Sequence, residues 1–209
     1  VNVNGTEYST TTSSNNWTVT VPALESGVTV YAYAKTSSLD YSYRTIDKVQ
    51  FAGSGTEADP YLVYTASDLA HINSASYYKL MNNIDVSSYI AANSPTAGWQ
   101  PIGRSSATPI GFDGNGKTIS GLWTNTTSDY TGLFTTITNA VVKDLTINVA
   151  SGKKVIGGSY TGILAGSANN TSVSNLTITG EVCSVSGGSV GGAIGSISGT
   201  TPNNIDNVK

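Results

Sequence analysis

Few residues of this chain belong to the types that catalyse reactions, and two of those types occur only once. His71 is the only histidine, so a serine triad, which needs a histidine as its base, would have to use it. The surrounding pattern places His71 in a predicted capping helix, which favours a structural role. Cys183 is the only cysteine and can form neither an internal disulfide nor a metal cluster. We interpret Cys183 as a small buried residue of a strand.

Three aspartates are candidates for the paired carboxylates that hydrolyse glycosidic bonds. Asp113 lies in an Asp-Gly-Asn-Gly sequence that is typical of a tight turn and lacks the further acidic ligands of a calcium loop. Asp144 belongs to a repeated turn, and Asp129 precedes a repeated tyrosine, where we expect it in solvent. Lyase-type sites would also need basic residues that lie beside acids on one face of the fold. The following basic residues do not repeat at one coil position with acids beside them: Arg104, Lys117, Lys143, Lys153 and Lys154. We therefore predict no catalytic residue, no metal and no cofactor.

Aromatic residues are the remaining candidates for recognition. Tyr130 and Tyr160 hold equivalent places in a phrase that recurs about every 30 residues, with Ser189 at the next place. Such a ladder could stack on sugar rings or fill the edge of the core, and filling is the favoured interpretation. Trp123, in a predicted loop, is the third candidate for binding, whereas we expect Trp99 to pack the cap of the fold.

The repeated phrase predicts the fold. Its copies are Tyr-Thr-Gly-Leu-Phe, Tyr-Thr-Gly-Ile-Leu-Ala-Gly and Val-Gly-Gly-Ala-Ile-Gly, each followed by an apolar-x-Asx-apolar phrase. Units that contact only their neighbours build a solenoid. One buried ladder should comprise Leu122, Leu145, Leu176 and Val208. A second should comprise Ile119, Val142, Val173 and Ile205. The turn between them should hold residues that tolerate left-handed backbone angles and hydrogen-bond to one another along the rod, namely Gly121, Asp144, Asn175 and Asn207.

Thr-x-Thr patterns can mark an ice-binding face. Thr18 and Thr20 form one Thr-x-Thr pair, and Thr177 and Thr179 form another. Such a face requires the pattern to repeat over many coils, and the sequence shows no such repetition.

Composition excludes several classes of partner. The 209 residues carry a net charge of -3, with 10 basic and 13 acidic residues, which gives no footprint for nucleic acid. Only 11% of residues are charged, and 38% are hydrophobic, which argues against disorder. No run is long enough for a membrane helix, so we predict no membrane insertion in this segment. Abundant Ser, Thr, Asn and Tyr indicate an extracellular protein.

Residues 1–50 alternate with a period of two, which predicts strands at 1–8, 17–21, 28–34 and 41–49. The motifs at 1–5, 16–22 and 24–27 make this stretch resemble the second half of a bacterial immunoglobulin-like domain, which implies a partial β-sandwich. Glycines and a proline in 51–60 mark a boundary. Beyond it, a short strand precedes a capping box formed by Thr65 and Asp68, which starts a helix that runs to about Ala75. From Ile84 onward we expect only strands and turns.

Residues 51–209 resemble the GLUG-repeat region of bacterial surface proteins. The resemblance rests on the motifs at 53–61, 68–69, 83–86, 99–103 and 112–122 and on the glycine-rich phrases that follow. It implies an all-β domain, a right-handed parallel β-helix with a short capping helix, as in passive adhesins and pectate-lyase-like enzymes. Related repeats lie beside immunoglobulin A proteases, whose zinc motif is His-Glu-x-x-His. Ile72 follows His71 here, so these residues hold no such motif.

These observations favour a non-catalytic adhesin or spacer on the bacterial cell surface, with a glycan or a host surface protein as its partner. Two alternatives stay open. The chain could supply the first coils of a carbohydrate-active lyase or glycosidase, or it could position substrates for a surface protease. Because the chain begins within a strand and stops within a repeat, we expect it to be a piece of a longer secreted protein.

Overall fold

The chain forms two compact units, Val1–Ala52 and Gly53–Lys209. The computed structural model describes residues 51–104, 107–200 and 203–209 in full, together with the backbone of four strands in the first unit. These four strands are β1 (Asn2–Val3), β2 (Thr6–Glu7), β3 (Thr29–Thr36) and β4 (Leu39–Lys48). They pair antiparallel in the order β2-β1-β3-β4. The strand expected at 17–21 and the motifs at 16–22 and 24–27 lie outside the described residues.

A cap of short elements opens the second unit. It comprises β5 (Tyr61–Val63), α1 (Ala66–Ala70), β6 (Tyr77–Leu80), β7 (Ile84–Asp85) and α2 (Ser87–Asn93). The predicted capping box is confirmed, because the Thr65 hydroxyl accepts the Asp68 N–H while the Asp68 carboxylate accepts the Thr65 N–H. Helix α1 ends earlier than expected, at Ala70. Leu69 and Ile72 nevertheless bury the predicted apolar face.

Helix α2 contradicts the expectation that only strands and turns follow Ile84. Its start is fixed locally, because Asp85 Oδ1 accepts the backbone N–H of Ser87 at 2.9 Å. The helix buries only Ile90, while the Tyr89 ring packs on Trp99 with 5.9 Å between centroids. Since a single buried residue gives no helical periodicity, the pattern of the sequence did not reveal this helix.

Parallel strands form the body of the second unit and stack as a β-solenoid of about four turns. The strands are β8 (Gly111–Leu122), β9 (Thr124–Asn125), β10 (Phe134–Thr138), β11 (Val141–Val149), β12 (Lys154–Gly157), β13 (Thr161–Gly162), β14 (Ala165–Asn169), β15 (Ser172–Thr179), β16 (Glu181–Ser184), β17 (Val190–Gly191), β18 (Ile194–Ser198) and β19 (Asn204–Val208). The largest sheet runs β19-β15-β11-β8-β6-β5. Smaller parallel sheets are β10-β14-β18, β16-β12-β9 and β13-β17. The predicted β-helix is therefore confirmed.

Two of the predicted ladders are confirmed in the last three coils. Val142, Val173 and Ile205 lie in register, and so do Leu145, Leu176 and Val208. Members in the inner coils are fully buried, whereas Val208 is half-buried and Ile205 is 39% exposed on the outermost strand. Each inner coil therefore covers its neighbour's apolar side chains.

The expected register of the first coil is wrong. Phe112 pairs with Val142, and Ile119 and Leu122 pair with Ile147 and Val149. Strand β8 holds extra residues between the partners of Lys143 and Leu145, so the Asp-Gly-Asn-Gly sequence forms an irregularity inside the strand. Leu122 is buried as predicted, but it does not belong to the Leu145 ladder.

Left-handed residues stack at the corners of the solenoid. Asp144, Asn175 and Asn207 have φ values of 53°, 51° and 47°, as expected for this turn. Asn115, with φ of 52°, and Gly116, with φ of 67°, are left-handed at the irregularity in β8, opposite the Asp144 turn. Gly121, which was expected at this turn, instead lies against Ser87 and Asp85 at the cap. A second asparagine corner was not foreseen: Asn170 Nδ2 donates to Asn139 Oδ1 at 3.3 Å, and both residues have φ of 50°.

Candidate functional site

The stacked pair of Tyr130 and Tyr160 is the most distinctive surface feature of the solenoid. The two ring centroids are 5.1 Å apart and the ring planes differ by 20°. Tyr130 is 42% exposed and Tyr160 is half-buried. The sequence predicted that the two residues share one repeat position, and the structure confirms it. The equivalent residue in the next coil is Ser189, whose carbonyl accepts the N–H of Thr161.

Both tyrosines have left-handed backbones, with φ of 54° and 59°. This conformation is uncommon for a bulky residue and persists only where neighbouring structure enforces it. The Tyr130 N–H donates to Ser159 O at 3.0 Å, and the Thr131 N–H donates to Tyr160 O at 3.2 Å. Thr131 and Thr161 are fully buried next to the tyrosines, and their hydroxyls donate to Ser128 O and Gly158 O. The corner is therefore held by its own hydrogen bonds.

The glycines of the repeated phrase allow successive coils to approach at this corner. A side chain at Gly166 would collide with the backbone of Tyr130, one coil away. A side chain at Gly195 would collide with the backbone at Tyr160 and Thr161 in the same way. The Tyr-Thr-Gly phrase of one coil and the last glycine of the next phrase thus form one packing unit.

The residues that immediately precede the two tyrosines, Asp129 and Ser159, carry polar side chains. Asp129 Oδ1 accepts the Ser159 N–H at 2.7 Å, which anchors this exposed carboxylate beside Tyr130. The hydroxyls of Ser159 and Ser186 are 3.4 Å apart. Asp129 was expected in solvent, and it is exposed, but the sequence did not show that it ties two coils together. We call Tyr130, Tyr160, Asp129 and Ser159 the tyrosine edge.

Trp123 does not join the tyrosine edge. It immediately precedes β9, whereas Tyr130 follows that strand by five residues. The Lys153 ammonium lies over the Trp123 ring, 4.7 Å from its centroid, so a cation already contacts this ring. The Trp123 carbonyl accepts the N–H of Trp99, which is buried and donates through Nε1 to Leu133 O, as expected of a residue that packs the cap.

The candidate acids make structural contacts. Asp113 Oδ2 lies 3.9 Å from Lys79 Nζ and 3.8 Å from Lys143 Nζ, and its other oxygen accepts the Asn115 N–H. Asp144 Oδ1 accepts an amide hydrogen from Asn175. The register of β8 brings Asp113 next to Lys143, a contact that the sequence did not show.

Lys154 forms another ion pair, on a different sheet of the solenoid. Its Nζ lies 2.7 Å from Glu181 Oε2 across the β12–β16 pairing. The hydrogen bond between them raises the pKa of Lys154 and lowers the pKa of Glu181. Both side chains are exposed, so this pair contributes little to stability. Cys183 lies in β16 with Glu181. It is half-buried, although we expected it to be fully buried.

One threonine position recurs in three successive coils. Thr118, Thr146 and Thr177 lie in register on one sheet face. Two positions further along each strand, the residues in register are Ser120, Asn148 and Thr179. The full Thr-x-Thr pair therefore occurs in only one of these three coils. The shifted register of β8 concealed the match of Thr118 to this position.

His71 is the C-terminal cap residue of α1, where its ring Nδ1 contacts Ser67 O. Its side chain is exposed. Across residues 51–104, 107–200 and 203–209, no group of three or more His, Cys, Asp or Glu side chains is placed to hold a metal ion. In the same ranges no helix is both long and apolar enough to cross a membrane.

Comparisons with known proteins place similar sequences in much longer chains. No protein-family model matches this chain. "Halomucin" of Haloquadratum walsbyi is 36% identical over 156 residues, which is 69% of this chain and 2% of that protein. A "Putative Gly-rich membrane protein" of Evansella cellulosilytica is 32% identical over 145 residues, which is 64% of this chain and 17% of that protein. The chain therefore matches only a small part of either relative.

Among solved structures, a "putative immunoglobulin A1 protease" from Bacteroides ovatus is 17% identical. The match covers 76% of this chain and 68% of that one, with a TM-score of 0.37. A likeness of this strength supports no conclusion about activity.

Proposed function

We propose that this chain is a non-catalytic part of an extracellular surface protein, and that its GLUG-like solenoid presents the tyrosine edge to a glycan or to a host surface protein. The names of the two relatives support a surface location, since one is a halomucin and the other a membrane protein. The role is adhesive, with the solenoid also acting as a spacer.

The tyrosine edge is the single observation that carries the proposal. Tyr130 is a large aromatic side chain left 42% exposed on a backbone that is held in a left-handed conformation. Aromatic rings contribute binding area at small entropic cost and can stack on the apolar face of a sugar. Because the rings of Tyr130 and Tyr160 already face each other, a ligand would contact the outer ring faces and edges. The Asp129 carboxylate and the Ser159 hydroxyl supply hydrogen-bonding groups beside them.

The contacts of the acidic residues support a non-catalytic role. Asp113 lies between two lysines, Asp144 accepts a hydrogen bond in the asparagine ladder, and Asp129 anchors Ser159. Each carboxylate that was considered for glycosidase chemistry thus has a structural partner. We expect no hydrolase or lyase activity from the 209-residue chain on a panel of polysaccharides, with or without calcium.

A glycan array tests the binding proposal. Wild type should bind a subset of glycans, and Tyr130→Ala or Tyr160→Ala should weaken that binding by about tenfold, in line with the loss of an aromatic contact. Val141→Ala is the matched control, because Val141 is similarly exposed at 46% but lies on another face. Trp123→Ala shows whether the third aromatic residue contributes. Binding should change little with salt, because Asp129 is the only charged residue of the edge.

Binding that survives both tyrosine changes, or that collapses in moderate salt, would place the ligand elsewhere on the solenoid. Turnover of a polysaccharide that disappears in Asp113→Asn or Asp129→Asn would overturn the non-catalytic role. If no glycan binds, a pull-down with host surface proteins using the same variants tests the remaining partner class, and a negative result there would favour a spacer without a ligand.

A further inference from the structure

The stacked tyrosines bring two oxidisable phenol rings from successive coils into contact. Their centroids are 5.1 Å apart, their planes are within 20° of parallel, and Tyr130 is accessible from solvent. We propose that Tyr130 and Tyr160 are an oxidative cross-linking site, at which a peroxide-driven one-electron oxidant joins the two rings as dityrosine.

The reaction balances without any further reagent. Each phenol gives up one electron and one proton to become a phenoxyl radical. The radicals combine through the ring carbon next to each oxygen, which leaves both oxygens as carbonyls, and the hydrogens on the two joined carbons then move as protons to these carbonyl oxygens and restore the phenols. The pair has lost two hydrogen atoms in total, and one molecule of hydrogen peroxide accepts them to give two molecules of water.

The corner geometry favours coupling within one molecule. Hydrogen bonds from the Tyr130 and Thr131 N–H groups to the next coil hold both backbones, so the rings stay adjacent without an entropic cost at the time of reaction. A second tyrosine pair provides a contrast. Tyr61 and Tyr78 have centroids 5.5 Å apart, but their planes differ by 51° and Tyr78 is only 1% exposed. We expect the buried, tilted pair to couple poorly.

The cross-link would join two coils that are otherwise connected by hydrogen bonds and packing. The chain has a single cysteine, so an internal disulfide cannot do this. Dityrosine formation uses two side chains of the proposed binding edge but requires no ligand. A failure of glycan binding therefore leaves this inference intact, and a failure to cross-link leaves the binding proposal intact.

The experiment treats the 209-residue chain with a peroxidase and hydrogen peroxide at low protein concentration. Wild type should gain the blue fluorescence of dityrosine and lose the mass of two hydrogen atoms while staying monomeric on a denaturing gel. After trypsin digestion, Tyr130 is the only tyrosine of peptide 118–143 and Tyr160 is the only tyrosine of peptide 155–209. A covalently joined 118–143/155–209 species therefore identifies the bond without ambiguity.

Phenylalanine variants supply the controls. Tyr130→Phe and Tyr160→Phe retain an aromatic ring but lack the phenol, and each should lower the yield of the joined species by at least about tenfold, since the proximate partner is lost. Tyr61→Phe should leave that yield unchanged. A product that forms only as covalent dimers, and in proportion to protein concentration, would overturn the proposal. So would the absence of the joined species under conditions that couple free tyrosine.

Discussion

Asn175 Nδ2 donates a hydrogen bond of 2.8 Å to Asp144 Oδ1 in the preceding coil, and Asn175 Oδ1 in turn accepts one of 2.8 Å from Asn207 Nδ2. The side chains thus form a chain of hydrogen bonds across three coils. All three residues are left-handed, so the same position requires both a tolerant backbone and a side-chain amide or carboxylate.

Replacement of Asn175 should separate these two requirements. Asn175→Ala loses both side-chain hydrogen bonds and places alanine in a left-handed turn, so we expect a loss of about 2–3 kcal/mol in the free energy of unfolding. Asn175→Gly removes the hydrogen bonds but suits the backbone, and should lose about 1 kcal/mol less. Urea unfolding measures both, with Ser174→Ala as the control from the adjacent position. Equal losses for alanine and glycine would mean that the backbone angle is not a source of stability.

Leu145 tests the central apolar ladder. Its side chain is 2% exposed and pairs with Leu176 in the next coil. Leu145→Ala should reduce the free energy of unfolding by about 2–5 kcal/mol, because it leaves a cavity between coils. Val141→Ala, at an exposed position of the same strand, should change stability by less than about 0.5 kcal/mol. A similarly small loss for Leu145→Ala would contradict its burial.

Gly166 tests the close approach of coils beneath Tyr130. Gly166→Ala should destabilise the solenoid by about 1–3 kcal/mol, because the new methyl group meets the backbone of Tyr130 and that backbone cannot move without breaking its own hydrogen bonds. Gly192→Ala is the matched control, since a methyl group there has no heavy atom within 4 Å. The measurement is thermal unfolding followed by circular dichroism. Equal effects at the two glycines would rule out the proposed packing.

The hydrogen bonds of Asp85 at the start of α2 should make the stability of the fold depend on pH. Hydrogen bonds from the Ser87 hydroxyl and the Ser87 backbone N–H lower the pKa of Asp85 from its ordinary value of 3.8. Since the folded pKa lies below the unfolded one, the ionised carboxylate stabilises the fold above about pH 4, and this contribution is lost as the pH falls through the folded pKa. Asp85→Asn should therefore be less stable than wild type at neutral pH, with the gap closing in acid.

Urea unfolding at several pH values measures that gap. The effect should be small because Asp85 is well exposed to solvent. Between about pH 5 and pH 8 the difference between wild type and Asp85→Asn should stay constant, since Asp85 is ionised throughout that range. A gap that widens in acid would have the wrong sign for a lowered pKa.

Repetition made much of the solenoid predictable from the sequence. Val142, Val173 and Ile205 recur with the same neighbours, so their register followed from the spacing alone. The pairing of Tyr130 with Tyr160 followed in the same way. The first coil departs from this spacing because β8 contains extra residues around Asn115, and sequence comparison could not show whether they formed a separate turn or an irregularity within the strand.

Contacts between different repeat positions could not be predicted. Lys153 reaches the Trp123 ring from a neighbouring coil, and Asp113 reaches Lys143 only because of the irregularity in β8. The hydrogen bond between Asp129 and Ser159 likewise depends on the exact spacing of two successive coils at this corner. No periodic pattern encodes these geometries, since each occurs once.

The parallel pairing of the coils also determines how the solenoid should respond to force. Hydrogen bonds between β8, β11, β15 and β19 all point from one coil to the next, along the axis of the stack. A pull along that axis breaks the hydrogen bonds of one coil–coil interface one after another. Because each coil contacts only its neighbours, the coils should separate in succession and not all at once. An end-to-end extension should therefore show a series of small steps. A covalent bond between Tyr130 and Tyr160 would remove one of those steps and shorten the reach of the rod.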